Sequence, residues 1–203
     1  VTPLWPFSAL VWAHWQTLLA VSNGAWMLSE LWIMARDIGR PKGESRDRGS
    51  FFLIIAVIAV TILGETWAGH AFPFARLPNG NFGAVRFASG IALMWIGIAL
   101  RDWSVLTLGR FFRVQVQLQG DQRLITHGPY TFLRNRSYTG ALITFLGQGL
   151  ITGNAISLAI CVVGPLLVLS WRIHIEEQAL RARFGDDYAR YAGKSWALVP
   201  FVW

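Results

Sequence analysis

Five stretches of the chain are apolar on every side rather than at helix or strand spacing: residues 7–34, 51–72, 87–108, 138–151 and 155–171. A helix needs about 20 such residues to cross a bilayer, so the first three runs predict full spans. The last two are separated only by Thr152-Gly153-Asn154, and Gly and Asn form turns, so they predict a tight helical hairpin. Its first arm is short. Either the bilayer is thinned there, the helix starts before Tyr138, or the hairpin is re-entrant. The pattern predicts an all-α integral membrane protein of about five helices, with residues 1–108 supplying three spans. Residues 109–203 then form a second region of loop, hairpin and tail helix.

Composition agrees with that reading. With 54% hydrophobic residues, 14% charged residues and 11 Trp in 203, the chain is too apolar for an ordinary soluble domain, and the tryptophans gather near run ends, as interfacial anchors do. Residues 6–34 lack a basic start and a cleavage site, so this run is expected to stay as a span. The +7 net charge is distributed unevenly. Basic residues cluster at 36–48, 101–136 and 172–194, and only Arg76 and Arg86 lie outside those clusters. The positive-inside rule then puts the N-terminus outside and the clusters and C-terminus in the cytoplasm; it accounts for the excess without a nucleic-acid partner. The lone Cys161 builds no disulfide framework or cysteine metal site, and no metal is expected. His14, Glu30, Glu65, His70 and Asp102 lie in or beside the runs without relay spacing, and read as structural.

One island interrupts the apolar pattern: “RLITHGPYTFLRNRSYTG”, residues 123–140. Leading into it, Gln115, Gln117, Gln119 and Gln122 alternate with Val114, Val116 and Leu118, an extended, half-buried pattern. His127-Gly128-Pro129-Tyr130 reads as a turn whose backbone amides can face a polar group. After the last run, residues 171–184 have helical periodicity, with Ile173, Leu180, Phe184, Tyr188 and Tyr191 near one face. Arg172 and Glu176, four apart, share a face. Gly185 is expected to end this helix and Asp186 to cap a short second one. Alone, such a helix would lie on the headgroups. Emerging directly from the last span, it must instead sit beside the island.

The island, the hairpin and “WRIHIEEQALRARFGDDYARY”, taken together over residues 108–200, resemble the isoprenylcysteine carboxyl methyltransferase family and the wider phospholipid methyltransferase group of membrane enzymes. The resemblance implies S-adenosylmethionine as cofactor, with Gln115, Gln122, Arg123, Leu124, Ile125, Tyr130, Asn135, Arg136, Ser137, Tyr138 and Glu176 lining its site. It further implies that Arg172 meets a substrate carboxylate, with Arg134 as the second catalytic residue, and that the substrate is lipidic or prenylated and enters sideways from the bilayer. Where the family usually shows His-Pro this chain has Asn135-Arg136, and “SWALVP” has Ala197 where an arginine is common, so the substrate has room to differ. A carboxylate acceptor needs no general base. A lipid amine needs one, and His127 and Glu177 are the nearest candidates. A nicotinamide-dependent membrane reductase and a non-catalytic scaffold are the rival readings from other classes.

Overall fold

In lipid, an apolar run must satisfy its backbone groups internally, and the helix does so. The computed structural model describes residues 9–38, 44–45, 47, 49–78, 80–115, 117–118 and 123–199. In it the runs become α1 (Ala9–Ala35), α2 (Ser50–Ala71), α3 (Gly80–Leu108), α4 (Arg136–Thr152) and α5 (Ala155–Phe184), followed by a short α6 (Asp186–Ala192). Among the described residues four stretches are long and apolar enough to cross a membrane: His14–Ala35, Ser50–Ala71, Phe82–Phe111 and Ala155–Phe184. The remaining helix, α4, has 17 residues, about 26 Å at 1.5 Å per residue against roughly 30 Å of hydrocarbon. It begins at Arg136, inside the polar island, which accounts for the short apolar arm.

Three boundaries differ from the sequence expectation. Helix α3 starts at Gly80 rather than 87, because the polar first turns can stand clear of the lipid. The last span and the tail helix are one continuous 30-residue helix, so Arg172 and Glu176 are carried on the same helix that enters the bundle. Gly185, at φ 50°, ends α5 as expected, but it also occupies the N-cap of α6, and Asp186 falls in the first turn instead.

The hairpin turn follows its residues closely. Gly153 adopts φ 65°, where a side chain is strained. Asn154 Oδ1 accepts from the amides of Ile156 and Ser157 at 2.9 and 3.1 Å, capping α5, while its Nδ2 donates to the Phe72 carbonyl at the end of α2. On the other flank, α3 and α4 approach closely through glycines. A Cβ on Gly97 would lie 2.4 Å from Thr144 Oγ1 and 2.5 Å from the Gly140 carbonyl, and one on Gly147 would lie 2.5 Å from the Gly90 carbonyl. Without a hydrophobic drive between helices in lipid, such small-residue contact supplies the packing.

Helix α1 packs on α3, and α2 packs on α5 and α4. The α1–α3 seam joins an aromatic stack of Trp15 on Phe87, centroids 4.6 Å apart, to several polar pairs. Trp95 Nε1 donates to Ser22 Oγ (3.1 Å), Ser29 Oγ to Asp102 Oδ1 (2.6 Å), and Arg101 holds Glu30 through Nε (2.6 Å) and Nη2 (2.8 Å). Glu65, buried on α2, accepts from Gln148 Nε2 (2.8 Å) and from Cys161 Sγ (2.6 Å). Cys161 therefore has a partner that its sequence surroundings did not suggest. Between Arg36 and the start of α2, Glu44–Ser45 pairs antiparallel with Gln117–Leu118, a two-residue ladder that ties this loop to the approach of the island.

Candidate active site

The island is held in place by the end of the chain. Trp196 N donates to the Phe132 carbonyl (2.9 Å), Arg134 N to the Trp196 carbonyl (2.8 Å), and Asn135 offers both its amide (3.1 Å) and Nδ2 (2.9 Å) to the Ala197 carbonyl. Thr139 Oγ1 adds a bond to the Leu198 carbonyl at 2.7 Å. Arg134 closes the latch from the side: Nε donates to Glu177 Oε1 (3.0 Å), and Nη1 to the carbonyls of Ala192 (2.8 Å) and Ser195. Position 197 thus contributes through its backbone, and Asn135 supplies the neutral amide donor that this contact needs.

Arg172 is 1% exposed. Its Nη1 donates to Asp47 Oδ1 and Ser50 Oγ at the start of α2, Nη2 to the Val114 carbonyl (2.8 Å), and Nε to Glu176 Oε1 (3.0 Å) and Tyr138 Oη (3.2 Å). Asp47 in turn caps α2 by accepting from Phe51 N at 3.1 Å. One guanidinium therefore joins α5, the first turn of α2, the entry to the island and α4. Tyr138 donates to Glu176 Oε1 at 2.5 Å, and the Glu176 side chain, 24% exposed, keeps contact with the space beyond.

That space is a cavity of about 150 Å³ between island and tail helix. Gln115, Arg123, Leu124, Ile125, Tyr130, Asn135, Ser137, Tyr138 and Glu176 line it, as do Arg134, Tyr188 and Tyr191. Of the residues expected to line the cofactor site, Arg136 lines neither this cavity nor the larger one below, and Gln122 lies outside the described residues; Arg172, expected to meet the substrate, lines neither cavity. The tyrosine wall is kept protonated. Burial pushes the Tyr130 and Tyr188 hydroxyls well above the usual tyrosine range, and burial brings Tyr191 up to about 12. Tyr130 Oη donates to the Ser104 carbonyl (3.2 Å) and Tyr191 Oη to the Tyr130 carbonyl (2.8 Å), so these rings are locked.

A second cavity, about 340 Å³, lies inside the helical bundle and is walled mainly by apolar side chains of α1, α2, α4 and α5, including Trp26, Ile33, Ile54, Ile58, Phe145 and Val168. It lies where α1 and α2 face each other; among the described residues those two helices form no interface like α1–α3 or α2–α5. One end carries charge, from Glu30, Arg101 and Arg113. The two cavities share a wall of Phe112, Arg113, Ser137 and Tyr138. The sequence had singled out Ser137 and Tyr138. Arg113 and Phe112 were missed, although Arg113 stands two residues before Gln115 in the same extended entry.

Residues 85–187 match the phospholipid methyltransferase family. A probable protein-S-isoprenylcysteine O-methyltransferase of Oryza sativa subsp. indica is 33% identical over 115 residues, covering 56% of this chain and 60% of its own. Protein-S-isoprenylcysteine O-methyltransferase B of Arabidopsis thaliana is 32% identical over 115 residues, covering 56% and 58%. The solved structure of a eukaryotic intramembrane Ras methyltransferase, isoprenylcysteine carboxyl methyltransferase, superposes with a TM-score of 0.58 at 26% identity, over 73% of this chain and 52% of that one. The chain thus spans less than two thirds of the length of these relatives.

Proposed function

The chain belongs to the phospholipid methyltransferase family, and from that premise we propose that it is an S-adenosylmethionine-dependent membrane methyltransferase acting on the carboxylate of an isoprenylcysteine-like lipid. The observation that carries this reading is the shared wall: an island-side cavity that carries Gln115, Arg123 and Glu176 meets an apolar cavity among the spanning helices across Phe112, Arg113, Ser137 and Tyr138. A water-soluble donor and a lipid acceptor need that arrangement, because each must stay in its own solvent while the reacting atoms meet.

The lining of the first cavity suits the donor. Glu176 offers a carboxylate for a cationic group, Arg123 offers charge for a carboxylate, Gln115 offers an amide, and Leu124, Ile125 and the tyrosine rings offer apolar walls for an adenine. When bound there, S-adenosylmethionine supplies an activated methyl group. The protein's own part is positional. Tyr138, fixed between Glu176 and Arg172, holds the partition. Phe112 and Leu108 give the donor side an apolar flank, and the gap between α1 and α2 admits the lipid sideways.

A carboxylate acceptor fits better than an amine, which must lose a proton. His127 lines neither cavity, and Glu177 lines neither and is held by Arg134 and Arg181. Glu30, the carboxylate of the apolar cavity, is held bidentate by Arg101. The charge pattern supports a cytoplasmic active site with the N-terminus outside. The deciding experiment offers labelled S-adenosylmethionine to purified protein with prenylated cysteine carboxylates and, separately, with phosphatidylethanolamine. Label in the carboxylate as a base-labile ester supports the reading. Transfer only to the amine replaces it with the lipid-amine reaction, and transfer to neither, by protein that fails to bind S-adenosylhomocysteine, rejects it.

A further inference from the structure

We propose that Arg113 is the residue that meets the acceptor's carboxylate, with Arg172 acting through it from behind; the inference rests on the carboxyl methyltransferase reading above. An acceptor whose tail fills the apolar cavity must bring its carboxylate to the wall shared with the donor cavity. Of the four residues in that wall only Arg113 is charged, and among the described residues it is the one cation that lines both cavities. A carboxylate drawn into an apolar site without a counter-charge is expensive. Arg101, the other cation of the apolar cavity, gives Nε and Nη2 to Glu30 and Nη1 to the hydroxyl (3.0 Å) and carbonyl (3.3 Å) of Ser137. Arg172 lines neither cavity.

The support of Arg113 can be followed bond by bond. Its Nη1 donates to Asp37 Oδ1 at 2.8 Å, and Asp37 Oδ2 accepts from Val114 N at 3.3 Å. The Val114 carbonyl accepts from Arg172 Nη2 at 2.8 Å. Asp37 and Arg172 therefore grip the peptide on either side of Val114 and set where the Arg113 side chain leaves the backbone. Asp37 also offsets the charge of Arg113, so it lowers the attraction for an incoming anion. This gives the two residues effects of opposite sign, which a merely structural ion pair does not produce.

The test measures binding of N-acetyl-S-farnesylcysteine and its primary amide to the whole protein in detergent, with S-adenosylhomocysteine affinity as the control for folding. The wild type is expected to prefer the carboxylate by about ten- to a hundredfold, the worth of a charge-assisted contact. Arg113→Gln removes the preference, Arg113→Lys restores part of it, and Asp37→Asn widens it, each read on protein that still binds S-adenosylhomocysteine. A wild type with no preference, or an Arg113→Gln protein that keeps the wild-type preference, overturns the proposal. If Arg113→Gln does not fold, Asp37→Asn decides: an unchanged or narrowed preference overturns it. Failure of the underlying reading looks different, because the wild type then transfers no methyl group to the carboxylate even where it binds it.

Discussion

Arg172→Gln tests whether the buried guanidinium acts as a fastener of the fold or as a contact to the acceptor. The substitution removes bonds to Asp47, Ser50, the Val114 carbonyl, Glu176 and Tyr138 at once. Removing one partner of a buried ion pair costs about 3–5 kcal/mol, because the other charge stays behind in a poor solvent. Asp47 keeps the amide of Phe51 and the hydroxyl of Ser50, so the lower end, about 3 kcal/mol, is expected. For a chain of this length that lowers Tm by roughly 6–12 °C, read by tryptophan fluorescence during heating in detergent. Asp47→Asn in the same chain should recover at least about 1 kcal/mol, since the two positions are coupled. An Arg172→Gln protein that melts within a degree of the wild type while its acceptor KM rises would refute the fastener role and return Arg172 to the acceptor, as the sequence resemblance implied.

Glu176→Gln, which keeps the side chain's size but not its charge, should weaken S-adenosylhomocysteine by about tenfold or more in calorimetry, and unchanged affinity would remove Glu176 from the donor site. Gly97→Ala should cost about 1–3 kcal/mol from overpacking, since its Cβ meets Thr144 and the Gly140 carbonyl at 2.4–2.5 Å; Gly24→Ala, in the interior of α1 with nothing within 4 Å, is the clash-free control and should hold or raise the melting temperature in the same assay. The folded-state pKa of Tyr191, about 12, lies above the ordinary value of roughly 10, so its contribution is intact below pH 10 and lost as pH rises toward 12. Melting temperature should fall over that window, and less so in Tyr191→Phe. Single cysteines at positions 45 and 194, in a Cys161→Ala background, should label from the same side of the membrane, and Phe74→Cys from the other; any other pattern overturns the orientation.

The sequence made the helices legible because each apolar run is long and each break is chemical. Gly153 and Asn154 mark the hairpin turn and build it by a positive φ and a side-chain cap; Gly185 marks the end of α5 in the same local way. Much of the lining of the island-side cavity was also legible, since Tyr130, Asn135, Ser137 and Tyr138 sit within one short polar island, and Glu176 on the helix that must pack against it. The partners of Arg172 were not. Local spacing brings it to Glu176, four residues on, but Asp47 is 125 residues away in the chain, and no periodicity speaks across that distance.

The apolar cavity among the spanning helices was hidden for a different reason. In a soluble protein, an apolar stripe on a helix points inward, so the pattern reveals which residues face a core. In a bilayer the lipid is apolar too, and a residue lining an empty cavity looks the same in sequence as one facing acyl chains. Ile58 and Val60 on α2 are equally apolar, yet Ile58 lines the cavity and Val60 is exposed. What distinguishes the cavity face of α1 is Glu30, a charge that lipid would not tolerate unpaired and that Arg101 from α3 receives. The polar positions, which the run pattern treats as interruptions, therefore carry the information about where the bundle opens. Arg113 is the same kind of signal, a charge beside an apolar wall that its partner Asp37 makes tolerable.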